Sequence, residues 1–99
     1  MSYRLRFIKS AFREWKKPDP FIESQFKEHL KKRLEHPRVE SARLKGHRDL
    51  YKIKLTSVGY RLAYVVKESE ITVYVISVAR RDRIYELLKD RLQGQPNDK

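Results

Sequence analysis

The chain has 99 residues and no cysteine, which bounds it to one domain with one modest core and excludes a disulfide framework or a thiolate metal site. Its 24 Lys and Arg stand against 13 Asp and Glu, a formal net charge of +11, and such a charge draws a protein to polyanions, nucleic acid first and a membrane surface second. No stretch approaches the roughly 18 apolar residues of a spanning helix, the opening MSYRLRFIKS lacks a signal peptide's apolar run, and His29, His36 and His47 show no ligand spacing, so a soluble cytoplasmic chain with no membrane contact, no structural metal and no cofactor is expected.

Alternation from Tyr3 to Ile8 predicts a first strand. Ser10 can cap a short helix with Ala11, Phe12 and Trp15 on one side, which Pro18 ends. "DPF" restarts the chain, with Asp19 suited to an N-cap and Pro20 to the first helical position. Ile22, Phe26, Leu30 and Leu34 then make one apolar stripe, and Lys27, Lys31, Lys32 and Arg33 line the other face until His36-Pro37. Residues 37–49 read as a loop in which Gly46 can take a positive φ.

"YKIKLTSVGYRLAYVV", from Tyr51 to Val66, reads as a hairpin. With Thr56–Gly59 as its loop, Leu55 faces Tyr60, Ile53 faces Leu62 and Tyr51 faces Tyr64, all on one apolar face. The same register sets Lys54 opposite Arg61 on the other face, with Lys52 two positions along. A one-residue slip would drive these cations into the core. A third strand of the meander is expected over Ile71–Val78 after the polar turn 67–70. "ARRDRIYELLKDRL" predicts a last helix with Asp82 as N-cap, Ile84, Leu88 and Leu92 on one side, and Gly94 as its stop. The fold class is α+β: β-α-α-β-β-β-α over 1–93, an antiparallel sheet with its helices on one face, and a disordered tail over 94–99.

Like charges opposite one another destabilise a sheet unless an anion sits between them. Lys52, Lys54 and Arg61, with Arg81 past the end of the last strand and Tyr85 four residues on, form a concave candidate for an RNA phosphate and a stacked base. No carboxylate pair, catalytic histidine or metal cluster presents itself in the sequence, which disfavours metal-activated hydrolysis. RNA carries its own nucleophile: its 2′-hydroxyl attacks the neighbouring phosphate once a base removes the proton, an acid protonates the leaving 5′-oxygen, and cations hold the added charge. A lysine in a cationic cluster can serve as that base, whereas an arginine suits charge stabilisation. The bland alternatives stay open at this point. Lys-X-Lys also serves as a solvated face or edge guard, and Arg80, Arg81 and Arg83 as a solvated run.

"AFREWKK", "LKKRLEHPRVESARLKGHRDLYKIKL", "GYRLAYVV" and "VYVISVARRDRIYELL", in this order, resemble the RelE family of bacterial toxins, within the RelE/ParE superfamily. The resemblance implies the RelE-like fold and a ribosome-dependent endoribonuclease that cuts the mRNA codon in the ribosomal A site without a metal. It implies a cognate RelB-like antitoxin, the 70S ribosome and its mRNA as partners, with operator DNA reached only through the antitoxin complex. Carried over by motif, Lys52 and Lys54 act in proton transfer, with Lys54 as base. Arg61 holds the scissile phosphate, Arg81 stabilises the leaving oxygen and Tyr85 stacks on the base. Lys45, Arg80 and Arg83 contact RNA. Lys45 stands where the type member has an arginine, so the charge is kept without the planar fork, and Tyr85 falls two residues earlier than the type member's tyrosine. The superfamily also includes poisons of DNA gyrase, which generally lack this full cationic set; a non-catalytic toxin or a basic RNA-binding module is the alternative function.

Overall fold

The computed structural model describes residues 2–93, so the expected tail over 94–99 and the stop at Gly94 lie outside the described residues. A short edge strand, β1 (Arg4–Phe7), runs almost directly into helix α1 (Lys9–Lys16). Ser10 is therefore inside the helix and does not cap it. Ile8, in extended backbone, precedes the first turn and its carbonyl accepts the Phe12 N–H at 3.0 Å. Ala11 and Trp15 are buried, but Phe12 turns outward. There its ring meets Phe7 edge-on at 5.6 Å and the Lys16 amine at 5.4 Å. Helix α2 (Pro20–Glu35) starts as its sequence signals, with the Asp19 carboxylate accepting the Phe21 N–H at 2.8 Å.

The hairpin of β2 (Leu50–Leu55) and β3 (Tyr60–Lys67) has the expected register: Tyr51 pairs with Tyr64, Ile53 with Leu62, Leu55 with Tyr60, and Lys54 with Arg61. Gly59, at φ 68°, closes the turn in the left-handed region, which a side chain would disfavour. Strand β4 (Thr72–Arg80) follows antiparallel to β3. Helix α3 (Ile84–Gln93) begins two residues after Asp82, which is not its cap. Residues 81–83 form a turn instead, in which the Arg83 N–H donates to the Arg80 carbonyl at 2.9 Å.

Two expectations of the sheet need correction. The sheet order is β1-β4-β3-β2, and β1 joins β4 in parallel, so the sheet is mixed. Only the meander is antiparallel, because hairpins fix direction there; two intervening helices leave β1 free to run either way. The helices also do not share a face. Residues of α1 and α2 pack with Tyr51, Ile53, Leu62, Tyr64, Val73 and Val75. Ile84 and Leu88 of α3 pack on the opposite side with Leu50, Ala63 and Ile76. The cause is in the central strands, whose apolar residues occupy both faces, as strands buried on both sides require. An irregularity beside Ala63 and Tyr64 adds to this. Ala63 pairs with Ser77 and Tyr64 with Val75, so Ile76 is the extra residue and lies on the α3 side.

Beyond Val75, β4 has lost its β1 neighbour. Its free backbone groups are met by two side chains: Glu14 accepts the Val78 N–H at 3.0 Å and Arg91 donates to the Ile76 carbonyl at 2.8 Å. The pair is itself bidentate, at 2.8 and 2.7 Å, and largely buried. It ties α1 to α3 across a sheet edge. Arg91→Met leaves the Glu14 carboxylate without its partner. The expected cost is about 3 kcal/mol, the low end for a buried pair that loses one partner, or roughly 12–20 °C in Tm for a domain of this size, measured by calorimetry. An unchanged Tm would show that the pair only decorates the edge.

Candidate active site

The cationic residues reach one place because of strand parity. Lys52 and Lys54 pair with Ala63 and Arg61 and so share the α3 side of the sheet. The Leu50 carbonyl accepts from the Leu44 N–H, and the Lys52 carbonyl accepts from Arg33. Alternate residues of β2 thus turn their backbone groups away from β3. Lys54 and Arg61 are then a non-hydrogen-bonded pair, the closer kind, with Cα atoms about 4.5 Å apart.

Helix α3 covers the Leu50, Ala63 and Ile76 end of this face and leaves the Lys54–Arg61 end open. Tyr85, on its first turn, is 49% exposed. Its hydroxyl accepts a hydrogen bond from Arg61 Nη1 at 3.1 Å. Tyr85 and Lys52 also line one groove of about 460 Å³, together with Lys45, Arg43 and Lys89. Arg81 continues the ladder past the end of β4, its N–H donating to the Gly59 carbonyl at 2.8 Å. It stands two positions on from Ala79, which pairs with Arg61. Among the described residues, none of Lys45, Lys52, Lys54, Arg61 and Arg81 is in an ion pair. Elsewhere some cations are paired. Arg38, for example, binds Glu68 at 2.8 Å and Asp49 at 3.1 Å. Its guanidinium and the Tyr3 hydroxyl, hydrogen-bonded to Glu68, hold that carboxyl below the usual range. The open face thus concentrates uncompensated positive charge around two lysines, an arginine and an exposed ring.

The expected RNA contacts divide. Lys45 lies in the Tyr85 groove. Arg80 pairs with Tyr60 and lies over its ring, 5.7 Å from the centroid, on the side of α1 and α2. Arg80 and Arg83 line a separate cavity of about 310 Å³ beside Lys17 and Glu14. Two groove residues went unread in the sequence, Arg43 and Lys89, and Arg33 was read only as part of the basic face of α2. Lys89 was legible, since it follows Tyr85 by four positions and so shares its helix face. Arg43 sits in an irregular loop and carries no periodic signal.

The family model described as the ParE toxin of the type II toxin–antitoxin system parDE matches residues 5–85. The mRNA interferase toxin RelE of Escherichia coli K12 is 46% identical over 83 residues, covering 84% of this chain and 87% of that relative. The chain belongs to the RelE family of toxins. Among solved structures, a doubly substituted E. coli toxin RelE in the free state superposes with a TM-score of 0.86 at 40% identity, covering 94% of this chain and 97% of that one. The toxin of the intact E. coli RelBE toxin–antitoxin complex gives 0.78 at 44% identity, over 80% and 96%. The small α+β domain with four strands and three helices is that of the family, and in this chain the cationic face lies on its hairpin and last helix.

Proposed function

We propose that this chain is the toxin of a type II toxin–antitoxin pair and a ribosome-dependent endoribonuclease that cuts mRNA in the A site. Relatives named mRNA interferase RelE, and a toxin–antitoxin complex among the similar structures, support the class. The observation that carries the chemistry is Lys54 set opposite Arg61, beside Tyr85, on a face without carboxylate partners.

Lys54 accepts the proton of the RNA 2′-hydroxyl. The 2′-oxygen attacks the adjacent phosphorus, the bond to the 5′-oxygen breaks, that oxygen takes a proton from the Lys52 ammonium, and a 2′,3′-cyclic phosphate and a 5′-hydroxyl result. Arg61 offsets the charge that develops on the phosphate oxygens. Arg81 stabilises the leaving oxygen, Lys52 assists proton transfer, and Tyr85 stacks on a base of the codon. Lys45 in the groove, and Arg80 and Arg83 in their own cavity, contact RNA phosphates. A free face of like charges attracts RNA without distorting it, so the ribosome's placement of the mRNA supplies the in-line geometry. A RelB-like antitoxin holds the toxin inactive, and operator DNA is met only through that complex. No helix among the described residues is long and apolar enough to cross a membrane, and the site of action is the cytoplasm.

Mapping mRNA 5′ ends on programmed ribosomes with purified protein tests this reading. Discrete cuts within A-site codons, in frame with translation and ending in cyclic phosphate, are the expected result. Intact mRNA would refute it, and DNA breaks beside intact mRNA would move the chain to the gyrase-poisoning branch.

A further inference from the structure

Two of the basic residues of α2 pair within their own helix, Lys27 with Glu23 at 3.9 Å and Lys31 with Glu28 at 4.0 Å. Arg33 instead bends to the free edge of β2. Its Nη1 donates to the Lys52 carbonyl at 3.1 Å and to the Tyr64 hydroxyl at 2.9 Å. The guanidinium lies over the buried Tyr64 ring, 5.8 Å from its centroid, and the Tyr64 hydroxyl donates onward to the Pro37 carbonyl at 2.7 Å. One nitrogen makes both protein bonds. A guanidinium has five donors in a rigid fork, and among the described residues its other nitrogens have no hydrogen-bond partner and no carboxylate pairs with it.

Those donors border a cavity of about 310 Å³ that Arg33 lines with His29, Ser41, Lys52 and Lys54. No acidic side chain lines it. Lys52 lines both this cavity and the Tyr85 groove, so the two concavities meet at the same stretch of β2. Lys52 and Lys54 are about 6.6 Å apart along the strand, a span comparable to successive phosphates of an extended single strand.

We propose that this cavity is a second phosphate subsite, in which Arg33, with Ser41, holds a phosphate of the mRNA adjacent to the one that is cut. The proposal rests on the assignment of the scissile phosphate to Lys54 and Arg61. The RNA then leaves the Tyr85 groove and crosses the β2 edge. An anchored guanidinium loses little side-chain freedom on binding, which favours it over a mobile lysine for this role. Such a contact fixes register and moves no proton.

Arg33→Gln removes the charge and leaves a neutral donor at this position. The measurement is kcat and KM on programmed ribosomes, with mRNAs that carry one neutral methylphosphonate at successive positions flanking the cut. KM is expected to rise roughly fivefold with kcat kept, the size of one partly exposed ionic contact. At one flanking position the neutral linkage costs the parent protein the same factor and costs the variant nothing more. Arg33→Lys, which keeps the charge without the fork, is expected to recover part of the loss at that position. Absence of any coupled position overturns the proposal. Equal losses on every mRNA would place Arg33 on ribosomal RNA, and a lowered kcat with a lowered Tm would leave it a strut for β2. Arg61→Ala separates the two readings: if that variant still cuts and the Arg33 coupling persists, the subsite stands and the scissile assignment falls.

Discussion

Replacement of Arg61 by alanine is expected to abolish cleavage on programmed ribosomes while the fold survives. A preorganised cation aimed at developing phosphate charge contributes on the order of 10²–10³ in rate, and Arg61 is the residue that faces Lys54 directly. Its loss costs the fold little. The side chain is only half-buried, and its one hydrogen bond goes to the exposed Tyr85 hydroxyl. Removing a like charge from the pair with Lys54 relieves repulsion, so Tm should hold or rise slightly. Single-turnover cleavage at saturating ribosome, with Tm measured on the same preparation, checks both halves. Cleavage at the parent rate would remove Arg61 from the reaction. A large fall in Tm would mean that the face is built for stability and not for a ligand. Tyr85→Phe, measured in the same way, separates the ring from the hydroxyl that restrains Arg61.

The hairpin was legible in the sequence because two signals agree there. The two-residue period sets Ile53, Leu55, Tyr60 and Leu62 on one face, and any slip would bury Lys52 or Arg61. The candidate site came with it, since Lys54 and Arg61 inherit their positions from that register. What lay beyond reach depended on distant parts of the chain. The parallel pairing of β1 with β4 spans two helices, and no hairpin announces it. The side taken by α3 depends on Leu50, Ala63 and Ile76, whose apolar character was hidden in runs that also supply the main core. The arginine run after β4 divides because neighbouring residues at a strand end turn to opposite faces. Arg80 goes to Tyr60, and Arg81 keeps the parity of Ala79. Arg33 shows the same limit: its helix position suggests solvent, yet the Tyr64 hydroxyl and the open Lys52 carbonyl draw it to the sheet.

The double replacement Lys52→Ala with Lys54→Ala is expected to lower the chemical step by about 10²–10⁴, the range for a lost general base, and to weaken ribosome association far less. The lysines are two of many cations on a chain of net charge +11, so encounter survives their loss, although ribosome affinity of the parent and the variant alike should fall steeply with salt. Single substitutions then divide the labour. Lys54 is exposed and faces Arg61, whereas Lys52 faces Ala63 and is half-buried between two concavities. Lys54→Arg is the sharper test, because a guanidinium preserves the charge but does not take up a proton at any working pH. If Lys54 is the base, this variant binds normally and cuts as slowly as Lys54→Ala. A Lys54→Arg protein that cuts at the parent rate would make residue 54 an electrostatic partner of Arg61 and pass the proton to Lys52. A double variant impaired only in binding would show that neither lysine moves a proton and that both position the strand.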